Sequence, residues 1–113
     1  MANVDEGWAS CPITQNGCIR IMSSPSYPNV RSIAEVSDRL REATKAKAHE
    51  FWADDISVLD GGIDVSRVHG ARQLTDAFLL ALAVHHGGRL VTFDRAVPVA
   101  AVIGAKPKHL VVL

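Results

Sequence analysis

The sequence has no surplus of charge of either sign. Its 113 residues include 12 basic and 12 acidic side chains, so the formal net charge is zero. This balance argues against a protein that binds nucleic acid through a broad cationic surface. Within residues 20–47, however, basic side chains outnumber acidic ones by six to three. That segment is the best candidate for phosphate contact, and the solvated face of a helix is the simpler interpretation of it.

The sequence also lacks long apolar runs and has only two cysteines. Polar residues, prolines or glycines interrupt every apolar stretch well before about 18 residues, so we expect no membrane-spanning segment. The start, MANVDEGWAS, has no basic region before an apolar run and does not resemble a secretory signal, which favours the cytoplasm. Cys11 and Cys18 have no CxxC or His-rich partner, which predicts reduced core thiols.

Helical patterns alternate with short apolar strands, within a length that suits a single domain over 1–113. Pro12 can open a helix over 12–22, and Ser32 with Glu35 forms a capping box for an amphipathic helix over 33–47. Further along, the pattern predicts extended pieces within 49–60 and a helical turn over 66–69. A buried helix follows over 76–86, and Gly87 ends it. The rest of the chain is predicted to form a strand over 90–93, a short helix from Pro98 and a strand over 109–113. This order indicates a three-layer α/β domain with a mainly parallel sheet.

An aspartate stands at each end of the apolar segment DAFLLALAVHHGGRLVTFD. A helix from Asp76 to His86 runs roughly 16 Å, and a strand from Leu90 to Asp94 returns roughly the same distance. Both carboxylates are therefore expected at the carboxyl edge of the strands, where a divalent ion such as Mg²⁺ or Mn²⁺ would relieve their repulsion. The ordinary alternatives are a helix-start carboxylate for Asp76, a turn residue for Asp94 and a β-branched strand residue for Thr92.

The segment TDAFLLALAVHHGGRLVTFDRAVP resembles the C-terminal signature of the PIN domain, specifically of VapC-type toxin ribonucleases from bacterial toxin-antitoxin pairs. The likeness extends through GWASCPITQNGCIRIMSSPSYPN and HEFWADDISVLD, and so covers nearly the whole chain. Asp76, after Thr75, matches the acid of the family's T-D-A motif, and Asp94, after Thr92, matches its T-x-D motif.

The resemblance implies a cytoplasmic endoribonuclease in which acidic residues hold Mg²⁺ or Mn²⁺. It also implies an RNA substrate of the tRNA or rRNA class, a cognate antitoxin protein as inhibitor, and a homodimer.

Two departures from the family pattern concern the metal site. The family opens with a strand that carries its first metal-binding aspartate, followed by a helix, and this chain lacks both, so we expect a form shortened at the N-terminus. Asn3-Val4-Asp5 resembles that motif only in composition: no apolar strand precedes Asp5, which is better interpreted as a helix-end or loop residue. The helix PITQNGCIRI has no acid, and Gln15 or Asn16 stands near the position where the family often has a glutamate. A catalytically silent PIN-like chain, which only binds an antitoxin or itself, is therefore the alternative, and an unrelated α/β binding module is a weaker one.

Three arginines are candidates for contact with the RNA backbone, with ion pairs to nearby acids as the competing interpretation: Arg20, Arg72 and Arg95. Trp8 and Trp52 could stack on bases, although core packing is the more usual role of tryptophan.

Two further pairs of residues carry ligand atoms. His85 and His86 end the long helix, at the opposite edge from Asp76, and we do not expect them to bind metal. Asp54 and Asp55 are expected in a turn, from which one of them could supplement the acidic site.

Overall fold

A computed structural model describes residues 7–92 and 95–113. These residues form two compact units, one of residues 7–54 and one of residues 55–113. The first contains strand β1 (Trp8–Ser10), helices α1 (Pro12–Met22) and α2 (Ile33–Ala43), and strand β2 (His49–Phe51). The second contains helix α3 (Ala71–His85), strands β3 (Leu90–Thr92) and β4 (Leu110–Val112), and 3-10 turns at Val65–Arg67, Val99–Ala101 and Pro107–His109. The predicted α/β class is confirmed.

In the first unit, β1 and β2 pair in parallel, with Trp8 opposite His49. The pairing begins where the Trp8 amide donates to the Ala48 carbonyl at 2.9 Å. Gly7 permits this approach: its φ is +81°, and a Cβ atom there would lie 2.8 Å from the Ala48 oxygen.

Helix α1 has the predicted bounds. Pro12 takes the first helical position, where no amide donor is needed, and the Cys11 amide donates to Thr14 Oγ1 at 2.9 Å. At the other end the Ser23 hydroxyl donates to the Ile19 carbonyl at 2.7 Å. Both cysteines are free thiols, and Cys11 is buried as predicted, whereas Cys18 is only partly buried.

Helix α2 begins as predicted, because the Ser32 hydroxyl accepts from the Glu35 amide at 3.1 Å. It ends at Ala43, so the predicted extension to residue 47 is wrong. The Thr44 hydroxyl donates to the Arg41 carbonyl, and the Lys45 amide donates three residues back to Glu42. These tighter turns end the α-helical hydrogen bonding before the chain reaches β2.

Helix α3 starts five residues earlier than predicted. Gly70 is its extended N-cap and its carbonyl accepts from the Gln73 amide, so ARQL adds a first turn of good helix formers. The predicted stop is confirmed: Gly87 has φ +73°, and the Gly88 amide donates to the Ala83 carbonyl at 2.8 Å. The buried face of α3 is Ala77, Leu80, Ala81, Leu82 and Ala83.

Strands β3 and β4 also pair in parallel, with Leu90 opposite Leu110. Strand β4 is shorter than the predicted 109–113, and β3 agrees with its prediction up to Thr92, since Phe93 lies outside the described residues. The helix predicted from Pro98 is a 3-10 turn, and the turn predicted over 66–69 lies at Val65–Arg67.

The core of this unit forms around α3, which contributes Ala77, Leu80 and Ala81 to it. It contains Ile63, Ala77, Leu80, Ala81, Val97 and Val102. The described strands thus form two parallel pairs, together with one antiparallel bridge between Ile63 and Val102. The three-layer arrangement, the single domain and the missing first strand stay predictions. Among the described residues, no helix combines the length and the apolar character needed to cross a membrane.

Candidate functional site

Asp76 lies in the second turn of α3 rather than at the helix start that its sequence context predicted. Its neighbour Ala77 and Leu80, four residues on, are both fully buried, which anchors this part of the helix to the core. The Asp76 side chain is partly buried, whereas Thr75 and Arg72 are exposed. The helix dipole acts mainly within the first turn. Stabilisation of the helix N-terminus therefore does not explain why an aspartate stands at position 76.

Asp94 lies outside the described residues, as does Asp5. The predicted approach of the Asp94 carboxylate to Asp76 therefore stays a prediction. Thr92 ends β3, and its carbonyl accepts from the Leu113 amide at 2.9 Å, which ties the strand end to the end of the chain.

A hydrogen bond connects the segment after β3 to the start of α3. The Gln73 side-chain amide donates to the Ala96 carbonyl at 3.2 Å. Gln73 stands one turn before Asp76 on the helix, and Ala96 stands two residues after position 94. The chain at Ala96 is therefore held to the first turn of α3, one turn before Asp76. Arg95, next to Ala96, is exposed.

Three candidate site residues, Gln15, Asn16 and Arg20, lie on α1, in the unit of residues 7–54. The Gln15 amide donates to Ser10 Oγ at 2.9 Å, and Ser10 Oγ also lies 2.8 Å from His49 Nε2. Ser10 is buried, so these bonds tie α1 to the last residue of β1 and to the first residue of β2. Asn16 and Arg20 are exposed.

Four of the six basic side chains within residues 20–47 are paired with acids of the same segment. The pairs are Arg31 and Arg39 with Glu35, Arg41 with Asp38, and Lys45 with Glu42. These are exposed contacts between residues three or four apart, which supports the interpretation as a solvated helix face.

Both tryptophans are partly buried, and neither belongs to the buried core. Trp8 contacts the His49 ring across the β1–β2 pair, with ring centroids 4.4 Å apart. Trp52 is partly buried, and its amide donates to the Ser10 carbonyl at 2.8 Å.

A second group of ligand atoms, which the sequence analysis did not combine, lies at the other end of α3. Asp55 Oδ1 is 3.1 Å from His86 Nε2, and Asp55 Oδ2 is 3.6 Å from His85 Nε2. Desolvation raises the pKa of Asp55, but hydrogen bonds from its own backbone and from His86, with the charges of both histidines, outweigh it and lower the pKa overall. Asp55 lies 30 residues before His85, so no local spacing could have indicated the group.

Comparison with known proteins identifies the family. The family model of the PIN domain matches residues 2–102. The chain belongs to the PIN domain family. Ribonuclease VapC44 of Mycobacterium tuberculosis is 51% identical to this PIN domain chain over 111 residues, which cover 97% of the chain and 78% of the relative.

Two further ribonucleases of the same organism are similar to this PIN domain chain. Ribonuclease VapC38 is 43% identical over 97 residues, covering 85% of the chain and 67% of the relative. Ribonuclease VapC39 is 40% identical over 100 residues, covering 87% of the chain and 72% of the relative. No solved structure gives a significant match.

Proposed function

We propose that this PIN domain chain is a divalent-metal-dependent endoribonuclease and the toxin component of a bacterial type II toxin-antitoxin system. Membership of the PIN domain family and 51% identity to a protein named as a ribonuclease, across 97% of the chain, support the proposal. The structural observation that carries it is the bond from Gln73 to Ala96. It supports a site in which the segment around Asp94 adjoins the end of α3 that bears Asp76.

Asp76 and Asp94 are the proposed metal ligands of the nuclease site. The partly buried Asp76 carboxylate offers the hard oxygen donors that Mg²⁺ and Mn²⁺ prefer, so the described part of the site fits such an ion. A bound ion of this kind supplies activation of water and neutralisation of charge on the scissile phosphate. Thr75 and Thr92 would support the two carboxylates.

Exposed arginines are the proposed contacts to the RNA backbone. Arg72 and Arg95 flank the Gln73–Ala96 bond, and their exposed guanidinium groups can pair with phosphate oxygens. Arg20 on α1 is an additional candidate. Gln15 and Asn16 can offer only neutral carbonyl oxygens, and the Gln15 amide group is already bonded to Ser10.

The other expected properties follow from family resemblance. We propose an RNA of the tRNA or rRNA class as substrate, a cognate antitoxin protein as inhibitor, a homodimer and a three-layer α/β/α fold. The two free thiols support the cytoplasm as the compartment, since oxidising compartments favour disulfides.

The test is cleavage of a structured RNA by the purified chain with Mn²⁺ present. Asp76→Asn and Asp94→Asn should each lower the rate by on the order of 100-fold or more, because even outer-shell partners of a metal contribute 10- to 100-fold. Asp38→Asn is the matched control, since that carboxylate lies on α2 and is 77% exposed. Cleavage that survives both site substitutions would contradict the assignment.

A catalytically silent chain that binds only an antitoxin or itself is the second candidate. The observation that favours it is the composition of α1, which contains no acidic residue. Calorimetric titration with Mn²⁺ separates the two candidates: heat that disappears in Asp94→Asn supports the nuclease, and no such heat supports the silent chain.

A further inference from the structure

Asp55, His85 and His86 bring three ligand atoms together at the C-terminal end of α3. One carboxylate oxygen and one nitrogen from each imidazole lie within 4.8 Å of one another. Each oxygen of Asp55 is directed to a different histidine. The two rings are nearly perpendicular, at 85°, with centroids 5.1 Å apart, so they do not stack face to face.

The backbone holds both sides of this cluster in place. The His86 amide donates to the Leu82 carbonyl, and Gly87 and Gly88 close the helix end directly after it. On the other side Ile56, next to Asp55, packs against the core cluster that contains Leu80 of α3. The carboxylate and the imidazoles are thus attached to the same core, which limits the rearrangement that ion binding would require.

The spacing of the ligand atoms suits a small transition-metal ion. Metal–ligand bonds of about 2.0–2.1 Å in a tetrahedral site separate neighbouring ligand atoms by about 3.3 Å. Asp55 Oδ1 lies 3.1 Å from His86 Nε2 and Asp55 Oδ2 lies 3.6 Å from His85 Nε2, so each histidine nitrogen is near that separation from one of the two carboxylate oxygens. Side-chain exposures of 47% for Asp55 and 50% for His85 leave a path for the ion to enter.

We propose that Asp55, His85 and His86 form a binding site for Zn²⁺ or a similar first-row transition-metal ion. Two imidazole nitrogens and one carboxylate oxygen are a donor set for such ions, whereas Mg²⁺ and Mn²⁺ favour oxygen ligands. The site is separate from the proposed nuclease centre, because His85 follows Asp76 by nine residues, or about 14 Å along a helix. A bound ion would link the segment at Asp55 to the end of α3.

The competing explanation is an ion pair without metal, between the Asp55 carboxylate and protonated histidines at a helix C-terminus. It predicts the same contacts but no affinity for Zn²⁺ that depends on all three side chains. Zinc binding by the full chain therefore distinguishes the two explanations.

The experiment is equilibrium dialysis of the purified chain against Zn²⁺, with excess Mg²⁺ to occupy oxygen-rich sites. We expect one Zn²⁺ per chain, with affinity weakened by on the order of 10- to 100-fold or more in His85→Ala and in Asp55→Asn. His69→Ala is the matched control, since His69 is an exposed histidine of the same unit outside the cluster, and it should bind normally. Asp76→Asn should also bind normally, which keeps this test independent of the nuclease proposal.

A second readout guards against misfolding of a variant. Bound Co²⁺ should give visible absorption in the wild type and in His69→Ala that is lost in His85→Ala, while the far-UV circular dichroism of all three proteins stays the same. Absence of Zn²⁺ binding by the wild type would overturn the proposal. So would equal Zn²⁺ affinity in the wild type, His85→Ala and Asp55→Asn.

Discussion

Leu80 should be costly to shorten, because its side chain is fully buried in the core of residues 55–113. Leu80→Ala removes three carbon atoms, which at about 0.8 kcal/mol per buried methylene gives about 2.4 kcal/mol before any cavity is counted. The unfilled space raises the expected loss to about 2–5 kcal/mol. That is a large part of the roughly 5–15 kcal/mol that stabilises a typical domain.

Urea denaturation followed by far-UV circular dichroism measures this loss. Helical signal is the suitable probe, because both tryptophans, Trp8 and Trp52, lie in residues 7–54. Leu59→Ala is the matched control, since Leu59 is 89% exposed and should change the free energy of unfolding by no more than about 0.5 kcal/mol. If Leu80→Ala destabilises no more than Leu59→Ala, the assignment of α3 as the core helix is refuted.

Two other substitutions test local features. Gly87→Ala should lower the free energy of unfolding by about 1–2 kcal/mol, because Gly87 has φ +73°. Gly62→Ala is its control, having no positive φ and open space around the added atom. A hydrogen bond from the Ser66 hydroxyl, opposed by desolvation, leaves the pKa of Asp64 below its ordinary value. The ionised Asp64 carboxylate therefore stabilises the fold above about pH 4, and this contribution is lost as the pH falls through the folded-state pKa. Urea denaturation of the wild type and of Asp64→Asn at a series of pH values should show the difference in their free energies of unfolding shrinking over that range. A difference that stays constant down to about pH 2 would contradict this.

The helix boundaries that local chemistry controls were the predictable ones. Pro12 opened α1, the Ser32 hydroxyl began α2, and Gly87 ended α3, each through a contact within a few residues. The start of α3, which was predicted wrongly, has no such signal. Nothing within the sequence of α3 distinguishes a start at Ala71 from one at Asp76, because ARQL favours a helix but carries no capping side chain.

The proposed nuclease ligands were named from a pattern of residues: Asp76 and Asp94 stand at the two ends of one apolar segment, and both match motifs of the family. The cluster of Asp55 with His85 and His86 was not, since the prediction considered each pair by its own local geometry. The histidines were correctly assigned to the end of α3 away from Asp76, but the segment that faces them comes 30 residues earlier in the chain.

The sequence by itself indicated the family, the α/β class, the order of helices and strands from α1 onward and the identity of the acidic candidates, because these depend on residue types at short spacing. It did not predict strand β1. The tertiary structure decided which distant residues meet. It brought the Ala96 carbonyl to Gln73, near Asp76, and the Asp55 carboxylate to two imidazoles. The physical reason is that such contacts depend on how strands and helices pack around the core of Leu80 and its neighbours, and that packing has no signature in any single stretch of sequence.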